Sequence, residues 1–355
     1  MRLSYRRSLA VWISTTNVAF ADSASTGLGT SRPATAFITG RLGVRSSSSL
    51  KMTSTDRNNE KLRVALCQFH VTPDKEINHA TALDYIDRAA AQGATLVVLP
   101  EIWNSPYATS AFKEYAEVLP HVGDTEAKLS PSSALLMERA KQHQVWIVGG
   151  SIPEMETDGH VYNTCLVYDP TGKVVAKHRK VHLFDISVPG GITFRESDTL
   201  SPGNSLTSFA LRDDLDVGIG ICYDIRFPLL SMLMCQNKPN CKLLIFPGAF
   251  NMTTGPAHWE LLQRARALDN QCFVVTVSPA RTPAPEKEGK YPHYTAWGHS
   301  TCIDPWGAVV AKADEKEALI LCDLELNRVD EVRASIPIGK QKRTDLYKLA
   351  EVSSS

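Results

Sequence analysis

An excess of either charge is missing from this chain: 38 lysines and arginines are balanced by 38 aspartates and glutamates, for a formal net charge of zero. A neutral chain with no basic block in its folded part has no electrostatic footprint for nucleic acid or an anionic membrane, so a small-molecule ligand is expected. Long apolar runs are missing too. The stretch at residues 9–20 is too short and too interrupted by Ser, Thr and Asn to span a bilayer. The eight cysteines form no CxxC pair and lie scattered, mostly inside apolar runs such as residues 62–69 and 319–324. That spacing excludes a disulfide-stapled secreted domain and indicates a reducing compartment. No internal repeat occurs, and no linker-like composition interrupts residues 62–340, so one large domain is expected.

The amino terminus differs from the rest. Residues 1–51 carry seven Lys or Arg, one acid (Asp22) and many Ser and Thr. This is the composition of an organellar transit segment, for a mitochondrion or a plastid, with a secretory signal as the alternative. Met52 offers an internal start that would give a cytoplasmic form. We therefore expect a targeting segment at 1–60, a folded domain at 61–345 and a short tail at 346–355.

Within the domain, strand and helix signals alternate. Residues 63–69, 95–100, 145–149, 161–168 and 174–180 read as strands, and 78–92 and 131–143 carry apolar residues at helical spacing. Asp169-Pro-Thr-Gly-Lys173 is a hairpin signal, so antiparallel strands are mixed into the sheet. Residues 188–203 read as a Gly- and Pro-containing loop. Strands follow at 206–211, 217–221, 242–247 and 272–277, with helices at 229–234 and 256–271, the latter opened by Pro256. A hairpin about Asp304-Pro-Trp-Gly307, a strand at 318–326 and a helix at 328–334 close the domain. This pattern predicts an α/β fold.

Three of these strands end in chemistry-bearing residues. Thr95-Leu-Val-Val-Leu-Pro-Glu101 ends in a carboxylate, Lys177-His-Arg-Lys-Val-His182 in a cluster of bases, and Val217-Gly-Ile-Gly-Ile-Cys222 in a thiol. Each residue alone has an ordinary reading: Glu101 as a helix cap, Lys180 as a solvated cation, Cys222 as a small buried hydrophobe. Together, a Glu, a Lys and a Cys at strand ends are the parts of a cysteine hydrolase without a catalytic histidine. Cys222 on a strand-to-helix bend would have helix N–H groups near its sulfur, favouring the thiolate. His178 and His182, four apart, resemble metal ligands in spacing only. Their flanks suggest a strand, so no metal or organic cofactor is expected.

In these motifs the chain resembles the nitrilase, or carbon–nitrogen hydrolase, superfamily over residues 62–350. The resemblance implies a four-layer αββα sandwich that pairs into homodimers, and a triad of Glu101, Lys180 and Cys222. Glu101 would act as base and Lys180, with the Tyr223 N–H, as oxyanion donor. Glu196, in Gly191-Ile-Thr-Phe-Arg-Glu-Ser197, matches the family's second glutamate; a plain salt bridge with Arg195 or Lys180 is the other reading. Glu154 is a lesser candidate for that role. Phe246-Pro-Gly-Ala-Phe-Asn-Met-Thr-Thr-Gly-Pro-Ala-His258 and Ala296-Trp-Gly-His-Ser-Thr301 resemble the omega-amidase branch. Its members remove the terminal amide of alpha-ketoglutaramate and alpha-ketosuccinamate.

For the substrate pocket the sequence offers Tyr107, Tyr223, Arg226, His258 and Arg281. Arg226 is preferred to Arg281 as carboxylate reader because it follows the nucleophile by four residues, although a bridge to Asp224 would occupy it. The charged segment 282–292 is expected to be a surface insertion; over the pocket it would alter substrate choice. Two alternatives stay open. One is another amidase of the superfamily, acting on deaminated glutathione or carbamoyl amino acids. The other is a non-catalytic thiol sensor, which has no need of Glu101 or Lys180.

Overall fold

The structure, a computed structural model, describes residues 61–284, 287 and 289–352. The expected targeting segment, three residues of the 282–292 loop and the end of the tail lie outside them. The chain runs β1 (Lys61–Gln68), α1 (Lys75–Ala91), β2 (Leu96–Val98), α2 (Thr109–Tyr115), α3 (Pro131–His143), β3 (Trp146–Val148), β4 (Ile152–Met155), β5 (Val161–Tyr168) and β6 (Val174–Arg179). A small hairpin follows, β7 (Asp185–Ser187) and β8 (Thr193–Arg195), then β9 (Thr207–Arg212), β10 (Leu215–Ile219), α4 (Pro228–Asn237), β11 (Cys241–Pro247) and α5 (Gly255–Asn270). The last elements are β12 (Phe273–Val277), β13 (Thr301–Ile303), β14 (Val309–Lys312), β15 (Ala318–Glu325), α6 (Asn327–Ser335) and α7 (Ile338–Gln341).

These strands make two large mixed sheets. One runs β15-β1-β2-β3-β5-β4 with β6 added on β5, the other β14-β13-β12-β11-β10-β9. Each has three parallel strands at its centre, β1-β2-β3 and β10-β11-β12. The two-residue period of β1 dictates the layering. Leu62, Val64 and Leu66 point into a core shared with Val217, Ile219, Leu243 and Ile245 of the other sheet. Ala65, Cys67 and Phe69 point the other way, against Ala82, Ile86 and Ala89 of α1 and Leu136, Met137 and Ala140 of α3. On the far side the shared core continues to Met234 of α4 and to Trp259 and Ala267 of α5. The result is the expected αββα sandwich, in which central strands such as β2, β11 and β12 are buried on both faces and read as apolar runs.

Local chemistry explains the helix limits. Asp74 caps α1 by accepting hydrogen bonds from the Glu76 and Ile77 N–H groups (2.9 and 3.1 Å). Ser130 caps α3, Pro131 opens it and Gln144 closes it in the left-handed region. Residues 109–115, for which the sequence pattern predicts no element, form the helix α2, and the segment 188–203, expected to be a loop, contains β8. The helix expected at 229–234 is α4 (Pro228–Asn237), but the strand-to-helix bend expected at Cys222 is a 3-10 turn (Cys222–Arg226) that separates the cysteine from it. The turn tightens because the Asp224 carboxylate accepts from the Ile221 N–H (3.0 Å) while the Asp224 carbonyl accepts from Phe227 (3.1 Å). Arg226 thus belongs to this turn and not to the helix.

The ends of β2 and β3 are held together by a close backbone approach. Ser151 N–H donates to the Pro100 carbonyl (3.1 Å), and the Ser151 hydroxyl accepts from Ile102 N–H (3.1 Å), on either side of Glu101. Gly150 makes this possible: its φ is +63°, and a Cβ there would lie 2.1 Å from the Pro100 carbonyl oxygen. Gly150→Ala should therefore destabilise the fold by roughly 3 kcal/mol or more, combining left-handed strain with a backbone clash. Urea denaturation midpoints would check this; a change below about 1 kcal/mol would show that the junction relaxes freely.

Candidate active site

At one end of the sandwich, strand ends from both sheets and the small hairpin bring Glu101, Lys180, Cys222 and Glu196 together. Glu101 follows β2, Lys180 follows β6, Cys222 follows β10, and Glu196 opens a 3-10 turn after β8. All four are buried. The Lys180 ammonium donates to Glu101 Oε1 at 3.0 Å and to Glu196 Oε1 at 2.9 Å. Glu101 also accepts from Asn163 Nδ2 (2.9 Å), the Ala249 N–H (2.7 Å) and, at 3.3 Å, the Tyr107 hydroxyl. Glu196 accepts from Tyr107 (2.8 Å) and from the Phe184 N–H (2.7 Å). Between its two readings, Glu196 therefore pairs with Lys180; Arg195 faces Asp198 instead.

Cys222 occupies the left-handed region, φ +47°. Only a tertiary context that fixes the turn holds a non-glycine residue there. Gly248 lets the turn approach: a Cβ on it would lie 3.2 Å from Cys222 Cα. The clamp on the other side is Asp224, fully buried. One oxygen accepts from Ile221 N–H and His178 Nε2 (3.0 Å each); the other accepts from the His182 N–H (2.9 Å) and His182 Nδ1 (2.8 Å). His178 and His182 belong to the segment that presents Lys180, so Asp224 ties the cysteine turn to the lysine strand. The metal-like spacing of these histidines serves this carboxylate, and among the described residues no group of three or more His, Cys, Asp or Glu is arranged to hold a metal.

Burial and the facing groups together set the direction of each shift. Burial raises the Glu101 carboxyl; Lys180 opposes this and Glu196 reinforces it. For Lys180 burial acts downward, but the facing Glu101 and Glu196 outweigh it and keep the ammonium charged well above its ordinary range. Burial, then the Glu101 charge, push the Cys222 thiol well up. The expected pre-formed thiolate is thus not favoured: no α-helix starts beside the sulfur, and burial and the Glu101 charge favour the neutral thiol. Burial and both glutamates likewise raise the Tyr107 phenol, which stays a donor. For Asp224 burial acts upward, but the hydrogen bonds from His178 and His182 prevail and hold it below the usual carboxylate range.

The remaining candidates divide into two groups. Tyr107 stacks on Tyr294 (4.5 Å between ring centroids), and Phe194 packs against both. Arg226 lies over Tyr223 and Phe250 and faces His258, 3.2 Å from Nη1 to Nδ1. It makes no bridge to Asp224, and its buried Nε has no hydrogen-bond partner. Arg281 is elsewhere: its guanidinium covers Trp297 and donates to the Trp297 carbonyl (3.0 Å), in a separate depression with His70 and Glu315. Glu154 is bound by Thr164, Lys177 and Arg179, away from Lys180.

A cavity of about 380 Å³ reaches the cluster at Glu101, Tyr107, Ala249 and Tyr294. Its outer wall includes described residues of the 282–292 segment, so that segment covers the pocket instead of standing off as a surface insertion. Glu114 of α2 pins it by accepting from Lys290 Nζ (2.7 and 2.6 Å) and the Tyr291 hydroxyl (2.5 Å).

Sequence reasoning missed Asn163, the Ala249 N–H, Tyr294 and the Asp224 clamp. Asn163 carried a signal, a lone amide within the apolar strand 161–168; a backbone N–H carries none.

The sequence profile described as carbon–nitrogen hydrolase matches residues 63–334. The chain is 52% identical to the omega-amidase NIT2 of Xenopus tropicalis, over 82% of this chain and 98% of that protein. It is 50% identical to the omega-amidase NIT2 of Homo sapiens, over 80% and 96%. Among solved structures, Saccharomyces cerevisiae Nit3, described as a member of branch 10 of the nitrilase superfamily, superposes with a TM-score of 0.70 at 40% identity, covering 80% of this chain and 97% of that one.

The upward shift of the Cys222 thiol has a measurable consequence. Its alkylation by iodoacetamide, followed by peptide mass mapping, should keep accelerating with pH beyond the ordinary thiol value of about 8.5. Glu101→Gln removes a facing negative charge and should speed alkylation near neutral pH. A rate already flat above neutrality would mean a resting thiolate.

Proposed function

This chain belongs to the carbon–nitrogen hydrolase family, a hydrolase of linear amides, and we propose that it is an omega-amidase releasing ammonia from the terminal amide of short 2-oxo dicarboxylate monoamides such as alpha-ketoglutaramate. The relatives, about half identical over four-fifths of the chain, support the branch. The observation that carries the chemistry is a buried ammonium between two carboxylates beside a thiol on a left-handed turn. In this mechanism Glu101 takes the Cys222 proton as sulfur attacks the amide carbon. The negative tetrahedral oxygen is stabilised by Lys180 and the Tyr223 N–H. Glu101 passes its proton to the nitrogen, ammonia leaves, and the acyl group remains as a Cys222 thioester. Glu101 then deprotonates the water that attacks the thioester, and the thiol is restored. A base raised by burial suits this alternation, since it must take and return one proton in each half-reaction. Glu196 and Tyr107 keep Lys180 and Glu101 in register.

For the far carboxylate we propose Arg226. Among the described residues its guanidinium has no carboxylate partner, it is half-buried, and an aromatic floor of Tyr223 and Phe250 orients it. A planar fork suits a carboxylate in a fixed direction. Arg281 lies outside the cluster and is dropped from the pocket. Two copies of the chain are further proposed to pair through α4 and α5. Leu229 is 58% exposed on α4, and Leu261 and Leu268, seven apart on α5, are 65% and 52% exposed.

Ammonia release from a panel of alpha-ketoglutaramate, deaminated glutathione and a carbamoyl amino acid tests the substrate. The first should give the highest kcat/KM, and Cys222→Ala should abolish turnover while keeping the circular dichroism spectrum. Arg226→Met should lower kcat/KM about tenfold to a few hundredfold on substrates with a far carboxylate and little on neutral analogues. Preference for another panel member would overturn the branch, turnover by Cys222→Ala the nucleophile, and equal losses on charged and neutral substrates the role of Arg226. For the dimer, sedimentation equilibrium should give twice the chain mass and Leu261→Glu a single-chain mass; a wild-type single-chain mass at micromolar concentration would reject it.

A further inference from the structure

Of the eight cysteines, seven are buried and Cys235 alone reaches the surface in part. It lies in the last turn of α4, and its thiol meets that of Cys241, the first residue of β11, with 3.5 Å between the sulfurs. Cys272, between α5 and β12, also faces Cys235. A second thiol pair, Cys302 with Cys322, has no exposed member. The trio is remote from the proposed chemistry. Strands β10, β11 and β12 run parallel; Cys222 follows the end of β10, whereas Cys241 begins β11 and Cys272 directly precedes β12. The trio and Cys222 therefore lie at opposite edges of one sheet, about 15–20 Å apart by strand length. An exposed loop, residues 236–240, separates Cys235 from Cys241. A disulfide needs these sulfurs about 1.5 Å closer, and a surface loop supplies that movement where the packed chain at Cys272 does not. Arg333 of α6 anchors the far end of the loop, donating to the Cys241 carbonyl (2.6 Å) and the Pro239 carbonyl (3.3 Å), so the end of α4 is the part that moves. The contact with Cys241 lowers the Cys235 thiol, but Cys272 and burial prevail and push it well up. Cys235, then burial, push the Cys241 thiol well up. Thiols so raised react slowly near neutrality, and as poor leaving groups they make a disulfide that resists reduction.

We propose that Cys235 and Cys241 are a reversible modification site, at which a low-molecular-weight disulfide such as oxidised glutathione forms an intramolecular disulfide that fastens the end of α4 to β11. The inference does not depend on the identity of the amide substrate. In the first step Cys235, the exposed member, loses its proton to solvent and its sulfur attacks the small disulfide. That sulfur–sulfur bond breaks, and one small thiol leaves with a proton. Cys241 then loses its proton and attacks the Cys235 sulfur, displacing the second small thiol, which takes up a proton in turn. Two electrons and two protons pass from the protein to the oxidant, one protein disulfide forms, and two small thiols are released.

The test incubates the folded full chain with oxidised glutathione, traps the remaining thiols with iodoacetamide in urea, and maps the tryptic peptides by mass spectrometry. Residues 227–242 form one tryptic peptide that holds both cysteines, because Lys238 precedes a proline. This peptide should appear unalkylated and two hydrogens lighter, and dithiothreitol should restore both thiols. Its formation should accelerate about tenfold per pH unit above neutrality, as the thiolate fraction does. The thermal midpoint of the oxidised chain should rise by about 3 °C or more. Cys235→Ser should leave Cys241 alkylated and remove the thermal gain. If that variant does not fold, the wild-type map decides. Alkylation of both cysteines after prolonged incubation overturns the inference. So does a glutathione adduct that persists on Cys235 beside an alkylated Cys241, and so does a bridge from Cys235 to Cys272. A bridged form whose midpoint is unchanged or lower overturns the fastening of α4 to β11.

Discussion

One buried cation holds the functional end of this molecule together. The Lys180 ammonium sits 3.0 Å from Glu101 and 2.9 Å from Glu196, with all three side chains shielded from water. The two facing carboxylates outweigh burial and keep the Lys180 ammonium charged, while burial and Glu196 raise the Glu101 carboxyl against the pull of Lys180. Removing one member leaves an unbalanced buried charge, which costs on the order of 3–5 kcal/mol. The triad is thus a structural necessity before it is a catalytic device, and the hydrogen bonds from Asn163, Ala249, Tyr107 and Phe184 fill the remaining acceptor sites that burial would otherwise leave empty.

The thiol is governed by the same charges in the opposite sense. Burial, then the charges of Glu101 and Glu196, raise the Cys222 thiol against the pull of Lys180. Reactivity therefore does not come from a standing thiolate. It comes from a base already raised in affinity for the proton, adjacent to a sulfur whose attack supplies that proton. Their alignment is set by backbone constraints: the left-handed turn at Cys222, the close approach of Gly248, and the Asp224 clamp linking that turn to the two histidines around Lys180. Left-handed conformations at both Cys222 and Ile102, the residue after Glu101, turn the chain sharply just past the ends of β10 and β2, where the two side chains meet.

Much of this was determined by the sequence by itself. Period-two and 3.6-residue patterns located 131–143 and 161–168 to the residue, and Pro256 marked the start of α5 to within one residue, because these signals are short-range. The order Glu101, Lys180, Cys222, each at a strand end, picked out side chains that the structure brings together, since strands buried in one sheet layer must end at its edges. Only the tertiary structure decided the rest. Glu101 meets the Ala249 N–H 148 positions away, and no local pattern encodes a backbone donor at that distance. The protonation of Cys222, the service of His178 and His182 to Asp224, and the freedom of Arg226 from that same carboxylate each depend on desolvation and on which groups converge. The segment 282–292 reads as a charged insertion along the chain. Its place over the cavity rests on Glu114, far off in α2, because a loop without periodicity takes its position from its partners.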